Sequence, residues 1–191
     1  MQPVPTIKSR PVYPVVQVDP SVAYHLFIAG AGAFPSLSEL YNACDGERSC
    51  WVIGESLQHI SYKYPKGCHF IDESAMQETF SKLFATLPIS ANLYLASKQE
   101  SMLWDIHRLA VNAGLGQEQI KKLEPLSNKR RLFCTHCYTL TDGVTYTPYE
   151  CPGCKRLLLV RDHFSKLHSA YVGVQINAED PSDIPEREEL I

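Results

Sequence analysis

Four of the chain's seven cysteines stand as two short pairs, Cys134-Thr-His-Cys137 and Cys151-Pro-Gly-Cys154, with thirteen residues between the pairs. Two residues between thiolates let one tight turn aim both sulfurs at a single ion, and two such turns on facing hairpins close a tetrahedron. The spacing therefore predicts a metal-bound ribbon in the last third of the chain, with Cys134, Cys137, Cys151 and Cys154 as the ligands. Within the first pair, His136 reads as a loop residue and not as a ligand. Cys44, Cys50 and Cys68 make no close pair in sequence and read as core thiols.

Zinc and rubredoxin-type iron both accept four tetrahedral thiolates. Rubredoxins usually carry glycine after the second cysteine of each turn and are usually acidic. Here those positions are Tyr138 and Lys155. Around them Lys129, Arg130, Arg131, Lys155, Arg156, Arg161 and Lys166 outnumber Asp142, Glu150 and Asp162. Structural Zn2+ is the expectation and iron in a rubredoxin-like site is the alternative. A structural ion of this kind contributes on the order of 10 kcal/mol to folding. Its closed four-sulfur shell leaves no open position for a substrate, so it is not expected to catalyse.

The rest of the chain reads as a different module. Five prolines between Pro3 and Pro20 make residues 1–20 an extended arm. Short apolar runs at Tyr24–Ala29, Cys50–Gly54, Cys68–Asp72, Asn92–Ala96 and Ile120–Leu123 read as strands. Helices are expected at Ser36–Cys44, with Ser36 and Glu39 as a capping box, and at Ser74–Leu87 and Glu100–Ala113. Strands alternating with helices imply a parallel sheet with crossover helices. The fold class is thus α/β: a small parallel-sheet domain over 21–126, a zinc-ribbon module over 127–177, and an acidic tail over 178–191. A net charge of −3 argues against a nucleic-acid-coating role, leaving the local basic excess of the ribbon as that reading's only support. No 18-residue apolar run or export signal is seen, so a cytoplasmic protein with no membrane partner is expected. Trp51 and Trp104 read as core.

Strand Tyr24–Ala29 runs into Gly30-Ala-Gly32-Ala-Phe-Pro35 and then a helix. Glycines in this setting let a backbone approach a pyrophosphate. The segment resembles the nucleotide-binding half of the ferredoxin–NADP reductase superfamily, with Val52-Ile-Gly-Glu55 and the Leu93–Ala96 strand where that superfamily has its later turns. It departs from the superfamily at Ala96-Ser97-Lys98-Gln99, where a Cys-Gly-x-Pro-type turn is missing. The resemblance therefore implies a degenerate reductase-like half, with no residue of this chain assigned to a cofactor. An independent NAD(P)H enzyme is the competing reading of the same turn.

After the second cysteine pair the chain reads Leu157-Leu-Leu-Val-Arg-Asp162-His163-Phe164-Ser165, then Ala170-Tyr171-Val-Gly173-Val174. Together with the two pairs, this resembles the small-subunit (DmmA-like) family of bacterial dimethylamine monooxygenase. The resemblance implies an accessory subunit of an NADPH- and O2-dependent complex that oxidatively N-demethylates dimethylamine to methylamine and formaldehyde. It implies a hetero-oligomer. One partner subunit would carry flavin and iron–sulfur centres and take electrons from NADPH, and another would hold the oxygen-activating iron as haem. No catalytic residue is expected in this chain, and a rubredoxin-like electron-transfer subunit of the same complex is the alternative. His163, Phe164 and Tyr171 are the residues expected at a partner contact, with packing inside the ribbon as the other reading.

Overall fold

The computed structural model describes residues 9–54, 62–180 and 182–191. Pro3 and Pro5 of the arm, and Glu55 of the second reductase-like turn, lie outside the described residues. The chain divides into two compact units, one holding 13–127 and the other 9–12 with 128–191.

The first unit is a five-stranded parallel sheet. Its strands are β1 (Tyr24–Gly30), β2 (Glu47–Ile53), β3 (His69–Ile71), β4 (Asn92–Ala96) and β5 (Ile120–Lys122), ordered β3-β2-β1-β4-β5. Beyond His25 and Asn92 near their starts, the central strands β1 and β4 are continuously apolar because both faces are covered, as parallel sheets require. Side chains alternate between the faces. Leu26, Ile28, Ile53, Leu93 and Leu95 pack with Phe80 and Phe84 of α2 (Met76–Phe84) and with Leu103, Ile106 and Ala110 of α3 (Glu100–Asn112). Phe27, Ala29, Val52, Tyr94 and Ala96 form the opposite cluster with Phe34 and Leu37. Each such Leu or Phe, fully buried, contributes about 1.5–3 kcal/mol.

The helix expected at Ser36–Cys44 is instead a 3-10 turn, Phe34–Leu37, followed by a short α1, Ser38–Asn42. Pro35 presets the first turn, so it begins before Ser36, and no side-chain cap forms at either start. Likewise α2 is entered through a 3-10 turn at Glu73–Ala75. Strand β2 begins three residues earlier than its apolar run, since Glu47 lies in register with Tyr24 of β1.

The second unit is a mixed five-stranded sheet. Its strands are β6 (Arg130–Cys134), β7 (Leu140–Val144), β9 (Tyr149–Glu150), β10 (Leu157–Ser165) and β11 (Ala170–Gln175), ordered β7-β6-β11-β10-β9. All pairs are antiparallel except β6 with β11. A separate two-stranded pair joins β8 (Tyr146–Thr147) to β12 (Glu188–Glu189), so the acidic tail returns to the ribbon and does not end as a free strap. Register slips between Val160 and Phe164 of β10, looping out Arg161-Asp162-His163. Ser9 of the arm pairs there, donating its N–H to the Asp162 carbonyl at 2.8 Å. Among the described residues, no helix is long and apolar enough to cross a membrane.

The arm is also bound within the first unit. Tyr13 donates to Glu100 Oε1 at 2.5 Å and accepts from Trp104 Nε1 at 3.0 Å. Glu100 and Trp104 are both buried, so this hydroxyl satisfies two groups shielded from water. Tyr13→Phe leaves the ring in place but removes that hydroxyl. Denaturant unfolding should show a loss of about 1–3 kcal/mol in the first unit.

Candidate metal centre

The two cysteine pairs sit in two turns of one design. The first joins β6 to β7 and the second joins β9 to β10. Cys134 N–H donates to Thr139 O at 3.0 Å, and Cys151 N–H donates to Arg156 O at 2.9 Å. Tyr138 N–H reaches back to Cys134 O, and Lys155 N–H to Cys151 O, both at 2.9 Å. Each turn closes with its fifth residue in the left-handed region, Tyr138 at φ 63° and Lys155 at φ 61°. These are the positions where rubredoxins usually carry glycine. The backbone shape is kept although neither residue is glycine.

The turns bring four sulfurs together, all within 4.8 Å of one another. Cys134 and Cys154 Sγ atoms lie 3.8 Å apart, and those of Cys137 and Cys151 lie 3.5 Å apart. A tetrahedron with metal–sulfur bonds near 2.3 Å needs sulfurs about 3.8 Å apart, and these two distances lie close to that, so the donor set suits Zn2+ or iron. Cys134 and Cys151 are buried, while Cys137 and Cys154 face outward in part.

Local chemistry divides the four thiols. The Thr139 hydroxyl, 3.2 Å from Cys137 Sγ, and the Thr139 backbone N–H hold the Cys137 thiol down to about 6. At Cys154 the Arg156 N–H pulls the same way, but burial and the three neighbouring sulfurs outweigh it and push the thiol up to about 11. Burial raises the Cys134 thiol as well. Without a cation the cluster thus favours a thiolate at Cys137 and opposes one at Cys134 and at Cys154.

Thr139 is a site residue that spacing alone does not reveal. Its position explains Gly153: a Cβ there would lie 2.3 Å from Thr139 Oγ1 and 3.2 Å from Cys137 Sγ. His136 is exposed in the first turn. Of the residues expected at a partner contact, Phe164 and Tyr171 are instead interior, edge-to-face at 5.1 Å. His163 is exposed, with Nδ1 2.7 Å from Ser9 Oγ. Beneath them Arg130, 5% exposed, stacks 4.3 Å over the Tyr171 ring and pairs with Asp162 at 3.0 Å. The basic residues of this unit largely face partners of their own: Arg131 pairs with Asp142, Lys155 with Glu150, and Arg156 with Gln175.

The glycine turn of the first unit lies where the strand order reverses, between β1 and β4. Gly32 has φ +68°, and a Cβ on it would lie 3.0 Å from Lys98 Nζ. Met102 and Ser97 stand equally close to Gly30. The turn is therefore packed against the chain's own side chains. An open recess of about 630 Å3 lies elsewhere in the unit, beside Val18, His25, Leu40 and Gly46. Cys44 is a core thiol, but Cys50 and Cys68 do form a close pair, their sulfurs 2.9 Å apart on neighbouring strands.

Three outcomes follow from this geometry. Gly153→Ala should displace Thr139 from Cys137 and lower zinc affinity by about 10-fold or more in a competition titration with a chromophoric chelator. Lys155→Gly should relieve the left-handed turn and stabilise the loaded protein by about 1 kcal/mol in thermal unfolding. Zinc retention should fall as pH falls, because protons compete for the sulfurs.

A family model described as "Dimethylamine monooxygenase subunit DmmA-like, C-terminal domain" matches residues 131–174, a stretch that contains both cysteine turns. The chain is also 28% identical over 174 residues to the "Heme-dependent oxidative N-demethylase delta subunit" of Ectopseudomonas mendocina (strain ymp), with 91% of each chain covered. The ribbon is thus similar to the DmmA-like C-terminal domain, and the likeness to the delta subunit runs through both units.

Proposed function

We propose that the chain is an accessory, structural subunit of a multi-subunit NADPH- and O2-dependent oxidative N-demethylase acting on dimethylamine. The observation that carries this reading is the nearly coextensive likeness to a delta subunit, covering 91% of both chains. In this reading the partners are a reductase subunit with flavin and iron–sulfur centres, which takes electrons from NADPH, and an oxygen-activating subunit with haem iron. The complex works in the cytoplasm, where its NADPH is found. Oxidising a C–H bond with O2 needs a redox cofactor, which such partners supply.

Zn2+ on Cys134, Cys137, Cys151 and Cys154 supplies no reaction step; it crosslinks the ribbon. The chain's own part is to hold the sheet around Arg130 and Asp162 rigid enough to present a fixed surface to the larger subunits. A rubredoxin-like electron-transfer role is the second reading, favoured by the repeated turn geometry at Tyr138 and Lys155.

Co-expression with the oxygenase and reductase subunits tests the first reading. The tagged chain should copurify with both, colourless on its own and carrying one zinc. Cys151→Ser should lose the zinc and the copurification together. A chain that stays monomeric beside those subunits would overturn the proposal. A red chain with one iron would transfer the site to the second reading.

A further inference from the structure

Cys50 and Cys68 occupy matching places on neighbouring parallel strands. Trp51 lies in register with His69 and Val52 with Phe70, so the two cysteines stand one step before the first pair. Adjacent strands run about 4.8 Å apart, inside the 4.4–6.8 Å Cα separation a disulfide accepts. The sulfurs already stand at 2.9 Å, and bonding needs about 2.05 Å. Cys50 is buried, whereas Cys68 is partly open to solvent. Cys68 also ends a turn, its N–H donating to Pro65 O at 3.1 Å, so it sits just outside the β3 ladder.

We propose that Cys50 and Cys68 form a peroxide-oxidisable dithiol, with Cys68 the attacking sulfur and Cys50 the resolving one. The hydrogen bond shared between the sulfurs favours the Cys68 thiolate, and that bond together with burial keeps the proton on Cys50. The Cys68 thiolate attacks one oxygen of hydrogen peroxide: the S–O bond forms, the O–O bond breaks, and hydroxide leaves to become water. Cys50 sulfur then attacks the Cys68 sulfenic acid: the S–S bond forms, the S–O bond breaks, and the Cys50 proton leaves with the hydroxyl as a second water. Two thiols and one peroxide become one disulfide and two waters, the sulfurs giving up the two electrons that the peroxide gains. A dithiol reductant reverses the change. Disulfides open to solvent are among the labile, reducible ones, and Cys68 is partly exposed. The crosslink would pin the three-residue edge strand β3 to β2.

The test uses the full chain loaded with zinc and treated with equimolar hydrogen peroxide, then blocked with a maleimide and peptide-mapped by mass spectrometry. The expected product is a Cys50–Cys68 crosslink that dithiothreitol reverses, with Cys44 still alkylated. In Cys68→Ser, peroxide oxidation of Cys50 should slow by about 10-fold or more. In Cys50→Ser, Cys68 should stop at the sulfenic acid and be trapped by dimedone. Should one variant fail to fold, the wild-type map decides alone. Cys50 and Cys68 both remaining alkylatable after the peroxide is consumed, or a crosslink through Cys44 instead, would overturn the proposal. Zinc content read in parallel separates oxidation of this pair from damage to the four-sulfur cluster.

Discussion

Four sulfurs within 4.8 Å of one another cannot all carry charge without a cation between them. That repulsion governs the second unit. Its two cysteine turns are each tied by their own backbone hydrogen bonds, and they meet at the sulfurs and at Gly153 beside Thr139. The turns prepare the donors: Thr139 settles one thiolate at Cys137, and the crowding at Cys154 opposes the last. A divalent ion held there would turn that opposition into cohesion, which is how small ribbons can fold around metal where their apolar core is thin.

Arg130 and Asp162 extend the same logic away from the ion. A guanidinium that is 5% exposed must be fully engaged, and it is: Asp162 at its edge, the Tyr171 ring on its face, and the Ile191 carbonyl as a further acceptor at 3.0 Å. The looped-out Arg161-Asp162-His163 segment makes this possible, because a regular β10 would not turn both Asp162 and the Ser9 pairing edge to their partners. Residues that in sequence looked like a surface for other proteins, Phe164 and Tyr171, are the packing around that ion pair.

Much of this was legible in the residues. The apolar runs of β1 and β4 carry no alternation because both faces are buried, and the spacing of Leu103, Ile106 and Ala110 marks the buried stripe of α3. The cysteine spacing names the four sulfurs that converge. What escaped depends on contacts across the chain. The start of α1 was displaced by Pro35, a local signal that outweighs a Ser-x-x-Glu pattern. Thr139 matters only once the second turn lies against it. The Cys50–Cys68 pair left a faint trace, since the apolar runs Cys50-Trp-Val-Ile and Cys68-His-Phe-Ile both begin with cysteine. Only the strand order β2 beside β3 sets those two openings level.

The arm divides between the units: Ser9 belongs with β10, while Tyr13, four residues on, belongs with α3. In chain order the α/β unit is therefore an insertion inside the ribbon unit. During translation its residues all emerge before β6 exists, so it can mature first. The ribbon must wait for Ser9, made before that unit, to be matched by His163, made well after it. A fragment cut at Asn128 would inherit the four clustered cysteines but not Ser9, whereas one spanning 13–127 would keep all five strands of its own sheet.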